Sequence, residues 1–202
     1  MNILIRLEDK KDFRDVENMT REAFWDLYKP GCDEHLVVHK IRNTKAFIKE
    51  LDFVACDEEK IVGNVVYTKA KVVNENDEEF QVLCMGPLTV LPSYQGKGIG
   101  TLLMKHSIKA CKELGFNGVV IFGSSKYYNR FGFENAKKYN IKTSWGDNFE
   151  DFMALELNKG SLQKISGKFY EDPVFKIDKD ELDIFERQFP YKEKHFSGNP
   201  LY

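Results

Sequence analysis

The stretch Gln95-Gly96-Lys97-Gly98-Ile99-Gly100-Thr101 places three glycines between an apolar run, LTVLP, and an amphipathic segment that follows without a break. Glycine amides are uncovered by a Cβ, and the amides ahead of a helix's first hydrogen-bonded turn point outward at the positive end of its dipole. A diphosphate fits such a turn, and Lys97 adds positive charge beside it. Spacing decides among the glycine motifs. The dinucleotide pattern G-x-G-x-x-G fails, because its third position is Thr101 counted from Gly96 and Leu103 counted from Gly98. A Walker A loop fails because Lys97 is followed by Gly98 instead of a hydroxyl residue. What stands is Q-x-x-G-x-G, at Gln95, Gly98 and Gly100.

Farther along, GVVIFGSS is a short β-branched and aromatic run of the kind that forms a buried strand, and KYYNRFGF follows it. The Q-x-x-G-x-G loop at Gln95 resembles the acetyl-CoA pyrophosphate loop of the GNAT superfamily of N-acetyltransferases. Tyr128-Asn129-Arg130-Phe131-Gly132-Phe133 resembles the Y-x-x-x-G-F signature that closes its core, and the doubled tyrosine with R-F-G-F is similar to one bacterial subgroup. The likeness extends over roughly residues 1–157, taking in IRLEDKKDFRDVENMTREAF and KIVGNVVYTKAKV.

The resemblance implies a mixed, mostly antiparallel α/β (α+β) sheet flanked by helices and splayed where acetyl-CoA binds. It implies acetyl-CoA as co-substrate, held by the backbone of Leu88, Thr89 and Val90 along the pantetheine arm and by Gln95, Gly96, Lys97, Gly98, Ile99, Gly100 and Thr101 at the pyrophosphate. It gives Tyr128 the part of the acid that protonates the departing thiolate, with Tyr127 the weaker choice, and a backbone N–H near Val90 the polarising of the thioester carbonyl. It assigns no base.

The chemistry needs a neutral amine, a polarised carbonyl and a stabilised thiolate. Glu34 and His35, in the segment expected to line the acceptor side, are both candidates to take a proton through a water, Glu34 being preferred. The plainer alternative has Glu34 opening a helix and His35 facing solvent. His35 and His39 share helical i, i+4 spacing but lack the glutamate of H-E-x-x-H and a third ligand, so no metal is expected. His106 falls on the apolar stripe of the loop helix and reads as a hydrogen-bonded residue at the core margin. Tyr128 too has a plain reading, an aromatic at the core edge with its hydroxyl bonded.

With 202 residues, 42% of them hydrophobic, the chain can bury a sizeable core. A net charge of −2 without a basic patch speaks against nucleic acid as a partner. Cysteines at 32, 56, 84 and 111 form no C-x-x-C pair. With no membrane-length apolar stretch and no leader-like start, a cytoplasmic protein without membrane contact is expected, as monomer or homodimer.

The elements that must position these residues follow from periodicity. A strand is expected at 2–7, a helix at 12–27, one or two helical stretches within 35–51, strands at 51–55, 60–73 and 80–90, and a helix at 99–114. The last is expected to bury Leu102, Leu103, Ala110 and Leu114. Pro87 breaks a ladder bond and marks an edge, bulge or splay point. Residues 1–157 form the expected acetyltransferase domain. Residues 158–202 form an appended strand and short helix, at 180–189, with a loose tail. The expected reaction is acetyl transfer to a primary amine, of a small molecule or peptide, by direct attack in a ternary complex. The alternative is a non-catalytic acyl-CoA-binding or regulatory module with the same loop.

Overall fold

The structure, a computed structural model, describes residues 2–195; the end of the expected tail lies outside the described residues. The first strand, β1 (Ile3–Leu7), leads through a short 3₁₀ turn capped by Asp9 and Asp12 into α1 (Phe13–Phe24). That helix buries Val16, Met19 and Thr20, which recur at helical spacing. Next come α2 (Glu34–Ile41), β2 (Phe53–Asp57), β3 (Lys60–Val73), β4 (Glu79–Val90) and α3 (Ile99–Glu113). The chain continues through β5 (Gly118–Phe122), the single turn α4 (Ser125–Tyr128), β6 (Glu134–Asn135), β7 (Ile141–Lys142) and β8 (Phe152–Glu156). It closes with β9 (Gly167–Tyr170) and α5 (Lys179–Glu186), the helix capped by the Asp178 carboxylate at the amides of Asp180 and Glu181.

One nine-stranded sheet runs β1-β2-β3-β4-β5-β8-β6, with β9 attached to β3 and β7. Pairing along that path is antiparallel except between β4 and β5, which run parallel and meet at Leu83 with Val119 and Cys84 with Val120. Beyond Cys84 the two strands separate. The cause is local: on β3, Val66 alone stands opposite Gly86 and Pro87, a bulge between the pairs Val65 with Leu88 and Tyr67 with Met85. Pro87, having no N–H to give a neighbour, sits at the splay as expected.

α3 covers one face of the sheet through Ile99, Leu103, Met104, Ser107 and Cys111, all buried. This corrects the expected stripe: Leu103 is buried as expected, but Leu102 and Leu114 are exposed, and the buried line runs instead through the small residues Ser107 and Cys111. Ser107 is satisfied by the Tyr67 hydroxyl at 2.8 Å. His106 is likewise exposed and borders the core through its ring, edge-on to buried Phe53 at 4.7 Å, but among the described residues it lacks the expected hydrogen bond. The opposite face is covered by α1 and α2 through Val16, Met19, Val37, Val38 and Ile41.

The C-terminal segment is integral to this arrangement. Strand β9 pairs antiparallel with β3 from Lys71 to Val73, burying Phe169. Helix α5 lays Phe185, with Phe189 beyond it, against Leu36 of α2.

Candidate functional site

The separated strands open a cavity of ≈ 640 Å³ between the start of α3 and the α1–α2 connection. Its first wall is the glycine turn. Gly96 and Gly98 have φ of +73° and +85°, left-handed angles that a side chain resists, and a Cβ at either would meet nothing within 4 Å. Gly98 is the N-cap of α3 and brings no capping side chain. The first bond of the helix runs from Leu102 N–H to the Gly98 carbonyl, 3.1 Å, leaving the amides of Ile99, Gly100 and Thr101 ahead of it directed outward. Gln95, Gly96, Gly98, Ile99, Gly100 and Thr101 all line the cavity, as do Leu88 and Val90 on β4.

Two expected contributors point elsewhere. The Lys97 ammonium donates to the Ser93 carbonyl at 2.9 Å and lies 4.8 Å from the centre of the Tyr94 ring. The Thr89 side chain is buried on the far side of β4, 3.2 Å from the Thr20 hydroxyl, so only its backbone is offered to this face. Gln95 has a local task as well: its amide nitrogen donates to the Val90 carbonyl at 3.1 Å, tying the turn to the strand end.

The second wall carries two tyrosines in different states. A Cβ on Gly100 would lie 2.6 Å from the Tyr127 hydroxyl, so this phenol sits against the first turn of α3, where it bonds Thr101. Tyr128 is fixed by packing. Its ring lies so close to Gly123 that a Cβ there would fall 2.5 Å from Cε2, and Tyr127 and Phe133 flank it at 5.0 and 5.6 Å. Among the described residues its hydroxyl has no hydrogen-bond partner. Burial, then Tyr127 and Tyr28, push the Tyr128 phenol well above the usual tyrosine range, so it stays protonated at neutral pH.

The cavity is also lined by Phe24, Tyr28, Glu34, Cys84, Glu171 and Phe175. Glu34 opens α2 with one carboxylate oxygen accepting from the Asp33 amide at 3.1 Å. Desolvation first, then the charge of Asp33, raise it to about 7. Tyr28, whose own phenol is raised by burial and by Glu34, lies within electrostatic reach of both Glu34 and Tyr128. The candidate acid and the candidate base therefore share one cavity.

His35 does not share it, and it does not face solvent. It is fully buried, with Nδ1 3.4 Å from the Cys32 sulfur and Nε2 3.0 Å from a Glu186 carboxylate oxygen. Burial lowers it to about 4 and drives the Cys32 thiol upward, so the pair is a neutral imidazole beside a thiol and no nucleophile. His39 turns the other way to Glu17 at 2.8 Å. No three potential ligands converge on a metal position among the described residues.

Sequence reasoning did not find Phe24, Tyr28, Cys84, Glu171 or Phe175. Only Glu171 carried a readable type, and nothing local to its position ties it to a loop far earlier in the chain.

A model of the Acetyltransferase (GNAT) family matches residues 17–133, more than half of the chain. The chain is 28% identical over 166 residues to the uncharacterized N-acetyltransferase YhbS of Escherichia coli strain K12, covering 82% of this chain and 93% of that protein. To the uncharacterized N-acetyltransferase YjhQ of the same strain it is 30% identical over 128 residues, covering 63% and 67%. The crystal structure of YhbS from Escherichia coli in complex with CoA superposes with a TM-score of 0.78 at 26% identity, covering 88% of this chain and 93% of the other. A GNAT family acetyltransferase from Brucella melitensis in complex with acetyl-CoA shares the fold, with a TM-score of 0.70 at 24% identity over 86% and 98%.

Proposed function

Because this chain belongs to the GNAT acetyltransferase family and is an acyltransferase with acetyl-CoA as co-substrate, we propose that it moves the acetyl group to a primary amine by direct attack in a ternary complex. The observation that carries this reading is the continuity of one cavity from the uncapped start of α3, along the splayed edge of β4, to Tyr128 and Glu34. Its residues fit the co-substrate: outward amides without Cβ cover for a diphosphate, and a strand edge without a neighbour for the amide-bearing pantetheine arm.

Each residue then has a definite task. The backbone of Gly98, Ile99, Gly100 and Thr101, with Gly96, binds the diphosphate, and Leu88, Thr89 and Val90 align the arm so that the thioester reaches Tyr128. A backbone N–H at the β4 splay near Val90 polarises the carbonyl as the amine attacks. As the carbon–sulfur bond breaks, the Tyr128 hydroxyl donates to the thiolate. An unperturbed thiol titrates at about 8.5 and this phenol lies well above that. The donation therefore stabilises developing charge, and full proton transfer is completed from solvent. Tyr127, engaged with Thr101, holds the helix start in place.

Glu34 takes the proton that the amine sheds, directly or through a water. A carboxyl raised to about 7 is a stronger base than an ordinary glutamate and is ionised in an increasing fraction above neutrality. The test is release of free thiol from acetyl-CoA on addition of an amine panel. Release that depends on both substrates, and that Tyr128→Phe slows without weakening acetyl-CoA binding, supports the reading. Tight acetyl-CoA binding with no release over every amine class contradicts it.

A further inference from the structure

The cavity is lined by two carboxylates from unrelated parts of the chain, Glu34 from the start of α2 and Glu171 just past the end of β9. Neither forms a salt bridge with any described residue. The cation lining the cavity, Arg130, lies over the ring of Tyr127, at the α3 side. Phe24, Tyr28 and Phe175 line the same cavity. Glu171 is exposed as a residue, yet its carboxylate turns in toward buried Cys84, with Oε2 3.9 Å from Sγ. Desolvation of the inward-turned carboxylate raises it to about 7, against the opposing hydrogen bond from Cys84. Its position is set on both sides, by β9 in the sheet and by Val174 buried under α2.

Resting on the amine-transfer reading above, we propose that Glu171 binds a second positive charge on the acceptor, so that the preferred substrates are amines bearing another ammonium group beyond the reacting one. One carboxylate suffices to accept the proton of the attacking nitrogen. A second, with no salt-bridge partner among the described residues and in a cavity also lined by aromatic rings, is complementary to an ammonium that stays charged, because rings and carboxylate can attract it together. The reacting nitrogen meets Glu34 near Tyr28 and Tyr128, and the distal one meets Glu171.

The test compares putrescine with butylamine, which share a chain length and differ by one ammonium. Calorimetric titration into the full chain saturated with CoA reads acceptor binding independently of turnover, and thiol release from acetyl-CoA reads transfer. Putrescine is expected to bind about tenfold more tightly than butylamine, the factor that about 1.4 kcal/mol supplies. Glu171→Gln is expected to remove that preference, and Glu171→Asp to keep part of it, with acetyl-CoA affinity unaltered in both. Equal affinity for the two amines in the wild type, binding of neither, or a preference that survives in Glu171→Gln overturns the assignment. If the preference is present and lost in Glu171→Gln but no thiol is released, Glu171 keeps its role and the amine-transfer reading fails.

Discussion

In the proposed reaction two side chains divide the proton chemistry, and their environments say how each should respond to change. Tyr128 is held by Gly123, Tyr127 and Phe133 with its hydroxyl unpartnered among the described residues, so Tyr128→Phe removes a donor without disturbing packing. The expected outcome is a fall in kcat of about 10²-fold with the acetyl-CoA dissociation constant nearly unchanged, measured by steady-state kinetics beside calorimetry. Unaltered turnover would remove Tyr128 from the mechanism. For Glu34 the expected signature is a pH profile. The base works ionised, so kcat/KM rises with pH through about 7, and Glu34→Gln flattens that limb. Stability responds in the opposite sense. A carboxyl whose folded value is raised from 4.5 stabilises the fold fully below 4.5 and loses that contribution as pH rises through about 7. Glu34→Gln should therefore melt higher than the wild type at pH ~8, an advantage that shrinks toward pH ~5, as scanning calorimetry at several pH values would show.

At the scale of elements, the glycine turn, the bulged β4 and the start of α3 form one device. Gly98→Glu puts bulk and negative charge where the φ is left-handed and the amides are exposed, and should abolish acetyl-CoA binding in a titration. Gly123→Ala leaves that turn intact but thrusts a methyl group into the Tyr128 ring. The expected loss is in kcat, with acetyl-CoA affinity retained, and wild-type turnover in this variant would show that the ring need not sit where it does. These parts were legible because each has a local signature: glycine spacing, a proline inside a strand, a β-branched run. β1 through β5 and the main helices matched the periodicity within a few residues at most ends. The buried line of α3 was misjudged because Leu102 and Leu114 are the larger apolar side chains, whereas the face toward the sheet has room for Ser107, bonded to Tyr67, and Cys111. Strands β6 and β7, two residues each, are too short to show a period, and their pairing depends on distant partners. Glu34 was found through its place beside the acceptor loop. Glu171 was not, because only the pairing of β9 with β3 carries it to the cavity.

Over the whole molecule, the C-terminal segment brings Glu171 and Phe175 to the cavity and clamps α1 and α2 through α5. Arg21, almost fully buried, meets Glu186 of α5, stacks on Trp25 at 4.2 Å and donates to the Pro190 carbonyl at 3.1 Å. Removing it in Arg21→Ala leaves Glu186 facing His35 without its cation and should cost about 3 kcal/mol, read as a lowered midpoint in denaturant. An unchanged midpoint would mean that α5 is held by its aromatic contacts alone. We propose a division of labour in which residues 1–157 form the acetyltransferase domain and residues 158–202 an appended part that shapes the acceptor end. The described residues hold no helix long and apolar enough to cross a membrane. In the proposed reaction everything follows from the opened start of α3 gripping the diphosphate and aiming the sulfur at Tyr128. A crystal structure of the protein with CoA tests it most directly. Diphosphate oxygens are expected about 3 Å from the amide nitrogens between Gly98 and Thr101, with the sulfur within reach of the Tyr128 hydroxyl. A diphosphate bound elsewhere, or a sulfur lying far from that hydroxyl, would contradict it.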